Sequence, residues 1–359
     1  MNDVYVHSLD PVIFHIYGSL AVRWYGLAYL LGFVCAYFLM KWLIARQGQN
    51  VTQEMLGDLV TYGAFGVLIG GRLGYAIFYS PDLFIKFRSD FPFWGLLAVN
   101  EGGMASHGGM IGLVVGCWLF ARKHKVNLLY VFDLVAVSGP IGIFFGRIAN
   151  FINGELVGRE APPGLPWAVK FPTDIEFWPS QAPEKLRDLA QVVSKLPGWT
   201  AEKWQEVVEN MGRSFEARQM VYEALHQIVI GCQKGQQDLI QGIAPYLVAR
   251  HPSQIYQALL EGLLLFLVLF FLWAKDRKPG LIGAYFVIFY ALARIIGEQF
   301  RMPDAHIGYQ WLNLTRGQWL SIGMLVVGVV LWALWRRQMG GEIHGWFRVK
   351  SIHVRRKYR

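Results

Sequence analysis

The chain has 359 residues, of which 54% are hydrophobic and only 16% charged, whereas a soluble domain of this size carries about a quarter charged residues. The positive mean hydropathy and long apolar runs exclude a soluble globular enzyme and indicate an all-α polytopic membrane protein. The net charge of +9 sits in short basic clusters between apolar runs, so it speaks for membrane topology and against a nucleic-acid partner.

The first ten residues, MNDVYVHSLD, have no basic stretch, so no cleaved signal peptide is expected. Seven transmembrane helices are predicted at 18–43, 57–79, 107–121, 128–150, 253–273, 281–301 and 318–336. Each approaches the ~20 residues that a bilayer core requires, the third being short and extended at its ends. Basic residues follow alternate helices: Lys41 and Arg46, then ARKHK (121–125), then KDRK (275–278), then Arg336, Arg337 and the tail RVKSIHVRRKYR. The connections 80–106 and 302–317 are not basic-rich. This pattern predicts the N-terminus outside and the C-terminus inside.

Four regions result: helices 1–4 over 1–158, a polar outer head over 159–250, helices 5–7 over 251–336, and a basic inner tail over 337–359. The head reads as small and mainly helical, inserted between helices 4 and 5. In TAEKWQEVVENM, residues Trp204, Val207, Val208 and Met211 fall on one helical face behind a Thr200 cap. APEKLRDLAQVVSKL puts Leu186, Leu189, Val193 and Leu196 on one face, and a third helix is predicted from Ser214 to about Cys232. EAPPGLPWAVKFP is too proline-rich for helix and is expected along the membrane surface. Three cysteines, two in apolar runs and Cys232 alone, exclude a disulfide framework. No CxxC or paired His/Cys spacing suggests a metal site.

Charges within membrane helices are costly and face the bundle interior or a wet cavity. With the N-terminus outside, nearly all of them fall at one level, the outer leaflet. They are Arg23 and Tyr25 in helix 1, Arg72 in helix 2, His107 opening helix 3, Arg147 and Asn150 ending helix 4, Glu261 in helix 5, and Arg294, Glu298 and Arg301 in helix 6. Arg294, Glu298 and Arg301 share a stripe, as do Arg147 and Asn150. The excess of arginine argues for an anionic ligand, and planar guanidiniums suit phosphate. Simpler readings stand beside these: Arg72 can snorkel to the surface, Glu298 can serve only to neutralise Arg294, and Gly66, Gly70 and Gly74 read as packing. Asp133, near the inner end of helix 4, fits no outer site and reads as structural or as an interface charge, whereas His7, His15 and His344 carry no signal.

GRIANFINGELVG (146–158) resembles the signature of the prolipoprotein diacylglyceryl transferase family, with Ala149 where glycine is commoner. RWYG (23–26), GGRLGY (70–75), SHGGMIG (106–112), HPSQIY (251–256) and RIIGEQFRMPD (294–304) are similar to family motifs in family order and touch every predicted membrane helix but the last. The stretch around 180–248 is longer than the family pattern leads one to expect.

The resemblance implies an enzyme of the bacterial cytoplasmic membrane. It would join the diacylglyceryl group of phosphatidylglycerol to the lipobox cysteine of a preprolipoprotein as a thioether, releasing glycerol 1-phosphate. It also implies importance for Tyr25, His107, Arg147, Asn150, Glu155, Gly158, Arg294 and Glu298. Such a reaction needs a thiolate, for which His107 is the expected base, with Glu155 or Glu298 orienting it or taking its place. It also needs cations at the leaving phosphate, for which Arg147 and Arg294 are the candidates. Arg72, Arg301 and Gly158 complete the expected lipid-binding set, and no cofactor is implied. A lipid or anion transporter with an outward arginine-lined cavity is the alternative, but it predicts internal repeats and charges near the midplane.

Overall fold

The computed structural model describes residues 4–17, 20–47, 51–89, 92–98, 102–303, 308–338, 341, 343 and 345. The basic tail from residue 346 onward, His344 and Asp304 therefore lie outside the described residues. The chain begins with short strands, β1 (Tyr5–Val6), β2 (Val12–Tyr17) and β3 (Leu20–Arg23). The helices α1 (Trp24–Gln47), α2 (Leu56–Phe78), α3 (Ser106–His124) and α4 (Leu128–Asn153) follow. Beyond the head come a helical segment over Ser253–Trp273 and the helices Leu281–Gly297 and Arg316–Arg336. Among the described residues, five helices are long and apolar enough to cross a membrane: α1, α2, α4, Ser253–Trp273 and Arg316–Arg336, while Leu281–Gly297 is apolar and shorter.

The boundaries correct the predicted ones where local chemistry overrides hydropathy. Helix 1 starts at Trp24 rather than at residue 18. The run before it, VIFHIY and LAVR, is β-branched and aromatic, and it pairs antiparallel with Val12 opposite Arg23 and Phe14 opposite Val22. The helix expected to reach residue 301 stops at Gly297. The Ser253–Trp273 segment is not uniform: Ala258–Leu264 forms a π-helical turn between α-helical stretches.

The chain divides into two compact units. One comprises residues 33–141, 265–289 and 324–359. In it α2 and α3 pack backbone to backbone through glycines. A Cβ at Gly70 would lie 2.4 Å from the Gly108 carbonyl oxygen, and one at Gly66 would lie 2.3 Å from that of Gly112. The glycine spacing of α2 therefore serves close helix contact. In the same unit the fully buried Asp133 accepts the backbone N–H groups of Gly280 and Gly283, each at 2.8 Å, at the start of the Leu281–Gly297 helix. That confirms its structural role.

The second unit comprises residues 1–32, 142–264 and 290–323 and includes the head. Thr200 caps the helix Ala201–Asn210 by accepting from Lys203 N, and Ser214 caps Phe215–Gln233 by accepting from Ala217 N. The APEKLRDLAQVVSKL stretch is 3-10 helix over Pro183–Leu189 followed by one α turn over Ala190–Val193. Its Leu186, Leu189, Val193 and Leu196 are nevertheless all buried, in one core with Trp204, Leu225 and Ile228. The head is not wholly helical. β1 pairs parallel with β4 (Val169–Lys170), which pairs antiparallel with β5 (Ala249–Arg250).

Candidate active site

The signature stretch ends α4 and turns sharply. Gly154 has φ +67°, a left-handed conformation that glycine adopts without strain. The turn returns Glu155, whose N–H binds Asn150 O at 3.1 Å. The side chains converge as well. Asn150 Nδ2 donates to Glu155 Oε1 at 2.6 Å and also to the Tyr25 hydroxyl, which itself donates to Glu155 Oε1. Residues about 130 positions apart thus meet at one carboxylate oxygen.

Leu156 follows with φ +56°, uncommon for a non-glycine residue. The HPSQIY motif holds this strained backbone: Gln254 Nε2 donates to Glu155 O at 2.7 Å and Ser253 Oγ to Leu156 O at 3.1 Å. Both side chains are fully buried, so the motif serves the geometry of its neighbour.

A second constellation lies in the same unit. Glu261, fully buried, binds Arg147 Nη2 through Oε2 at 3.0 Å and Arg294 Nη1 through Oε1 at 3.4 Å. Arg294 Nη2 binds Glu298 Oε1 at 2.8 Å, and Arg301 Nη1 binds the same oxygen at 3.3 Å. Thr315 Oγ1 donates to Glu298 Oε2 at 3.2 Å. The predicted stripe of Arg294, Glu298 and Arg301 is therefore one ion-pair chain, although its last residues lie beyond the helix end. Arg159 donates to the Arg301 and Glu298 carbonyls at 3.0 and 3.2 Å. Three guanidiniums (Arg147, Arg294, Arg301) are held by two carboxylates (Glu261, Glu298), and the surplus positive charge suits an anion.

Two expected lipid contacts have other occupations. Arg72, in the other unit, is buried and donates to the carbonyls of Gly95, Leu96, Gly102 and Gly103 at 2.5–3.0 Å. It holds the connection after α2. A Cβ at Gly158 would stand 2.0 Å from His251 O and 2.9 Å from Phe300 O, so glycine there permits backbone packing. His107, also in the other unit, is exposed on the first turn of α3.

Three residues escaped the sequence reading. Glu261 was recognised as a buried charge but not as the bridge between two arginines. Arg250 pairs with the buried Asp174 and donates to Gly158 O at 3.2 Å, although burial pushes the Asp174 carboxyl up. His7 packs its ring 5.3 Å from those of Phe151 and Phe171. Burial lowers its pKa to about 4, partly offset by a hydrogen bond to the Phe151 backbone.

Comparison with known proteins gives the family. The sequence model of the family described as Prolipoprotein diacylglyceryl transferase matches residues 11–334. A protein of Bdellovibrio bacteriovorus named phosphatidylglycerol--prolipoprotein diacylglyceryl transferase is 55% identical over 352 residues, 98% of this chain and 100% of its own. Relatives of the same name from Idiomarina loihiensis and Burkholderia multivorans are 37% and 38% identical, over 92% of this chain and 95% and 96% of theirs. The match runs through every element that carries the two constellations, and the chain belongs to the prolipoprotein diacylglyceryl transferase family.

Proposed function

We propose that the two constellations form the active site with which this transferase moves the diacylglyceryl group of phosphatidylglycerol onto a prolipoprotein. The acceptor is the lipobox cysteine thiol. Its sulfur attacks the glyceryl carbon, forming the thioether, while the bond from that carbon to the phosphate oxygen breaks. The electron pair leaves with glycerol 1-phosphate, and no acyl or phosphoryl group moves. A carbon electrophile calls for no oxyanion hole. It calls for a base at the thiol and cations at the departing phosphate.

Arg147 and Arg294 take the phosphate, with Arg301 behind them. Glu298 orients Arg294 and Arg301. His107 receives the thiol proton, and the Tyr25–Asn150–Glu155 group orients the reacting parts. Gly158 supports the lipid site by letting the backbone of His251 and Phe300 pack against it, and Arg72, which holds the connection after α2, completes the proposed lipid-binding set. The observation that carries this reading is the convergence of Arg147 and Arg294 on one carboxylate, from positions 114 and 33 residues away from Glu261.

The reading extends to seven membrane helices with the N-terminus outside, supported by the alternation of basic connections. It places the chain in the bacterial cytoplasmic membrane with the site toward the outer leaflet, and the head over 159–250 as the part that handles the lipoprotein. Purified protein incubated with labelled phosphatidylglycerol and a lipobox peptide tests it. A thioether product is expected; lipid movement without one would favour a transporter.

A further inference from the structure

Glu261 is out of reach of a thiol. Its carboxylate is wholly buried, whereas the Arg147 and Arg294 side chains that it holds are 15% and 16% exposed. Each of its oxygens holds one guanidinium. Arg294 has both Nη atoms engaged, by Glu261 and Glu298, which leaves its Nε edge. Arg147 is held by Nη2 alone, and its Nε and Nη1 have no partner among the described residues.

Two cations this close repel each other unless a counter-charge lies with them, and a shared carboxylate both supplies that charge and fixes their separation. Arginine flexibility is then removed before the ligand arrives, as electrostatic preorganisation requires.

The surrounding backbone is shaped around this group. Glu261 lies within the π-helical turn Ala258–Leu264, a local widening that redirects side chains and is frequent at functional sites. Gly262 lets that turn press onto α4 one helical turn before Arg147, since a Cβ there would be 2.6 Å from Phe144 Cβ. Gly297 opens the other side, where a Cβ would be 3.3 Å from Glu261 Oε1 and 3.1 Å from Gln257 Cγ.

We propose that Glu261 is a positioning residue for the transfer reaction: its buried carboxylate sets the separation and tilt of Arg147 and Arg294, so that their remaining N–H edges form one phosphate clamp. The proposal rests on the assignment of the cluster to phosphatidylglycerol chemistry. Two variants test it in the purified full-length enzyme. Glu261→Gln keeps the shape and removes the charge. Gly297→Ala keeps the charge and displaces the carboxylate by a few tenths of an ångström.

For Glu261→Gln, kcat/KM for phosphatidylglycerol should fall about 100-fold or more, with the KM for the lipobox peptide unchanged. For Gly297→Ala, the lipid KM should rise about 10-fold with the peptide KM and melting temperature preserved. Alanine also favours helix, so this variant decides the matter if Glu261→Gln does not fold. Unchanged lipid kinetics in Gly297→Ala, or equal losses toward both substrates, would overturn the positioning role. Wild-type enzyme that makes no thioether would sink the underlying assignment, and this proposal with it, whereas active wild type with unaffected variants sinks this proposal alone.

Discussion

Gly158→Ala separates two accounts of the glycine that ends the signature stretch. If Gly158 gives the lipid room, alanine should leave the fold intact and raise the lipid KM. The structure gives another expectation. The new Cβ would sit 2.0 Å from His251 O and 2.9 Å from Phe300 O, so the nearer carbonyl must retreat by more than ~1 Å to reach ordinary contact. That retreat loosens two flanking backbone bonds, Arg159 N to Phe300 O at 2.8 Å and His251 N to Arg159 O at 3.0 Å. Overpacking costs about 1–3 kcal/mol and each weakened buried bond about 1 kcal/mol more, giving roughly 3–5 kcal/mol. The same shift moves Arg159, which holds the Glu298 and Arg301 carbonyls. Thermal unfolding in detergent, beside thioether turnover, should show a fall in Tm of several degrees together with lost kcat. A variant with wild-type Tm and only a raised lipid KM would refute the packing account.

Arg147→Lys should lower kcat/KM about 100-fold with little change in Tm, because lysine reaches Glu261 as a point charge without a second edge for phosphate; steady-state kinetics at varied phosphatidylglycerol decide it. A triple Cys→Ser variant at 35, 117 and 232 should still form thioether product, since the nucleophile belongs to the substrate. Cys232 is moreover buried, with its thiol pushed up to about 12. His7 should make stability acid-sensitive. Its folded pKa, about 4, lies below the ordinary 6.5, so its contribution is complete above pH 6.5 and is lost as pH falls from there toward 4. His7→Phe, which keeps the ring between Phe151 and Phe171, should flatten Tm against pH in that window.

Features encoded by spacing along one element were legible in the sequence. The Arg294, Glu298 and Arg301 stripe followed from positions three and four apart, and the Thr200 cap from residue type before an apolar face. Features set by convergence of several elements were not. Nothing near Glu261 names Arg147 and Arg294 as its partners, because one lies 114 residues before it and the other 33 after. The π-helical turn has no compositional mark within ALLEGLL. Strand β3 reads as the start of helix 1 because an apolar run looks the same in either conformation until its partner strand is known. Arg72 reads in the sequence as a snorkelling residue or a phosphate contact, because the carbonyls it meets belong to a connection without a recognisable motif.

Thr315 and the backbone at Gly317 lie against the Glu298 carboxylate, at the start of the Arg316–Arg336 helix. Ribosomal synthesis delivers that helix after every arginine of the site has already left the tunnel. Until it arrives, Glu298 lacks its hydroxyl partner on one oxygen while Arg294 and Arg301 share the other. The ion-pair chain at Glu298 is therefore completed late in the life of the nascent chain.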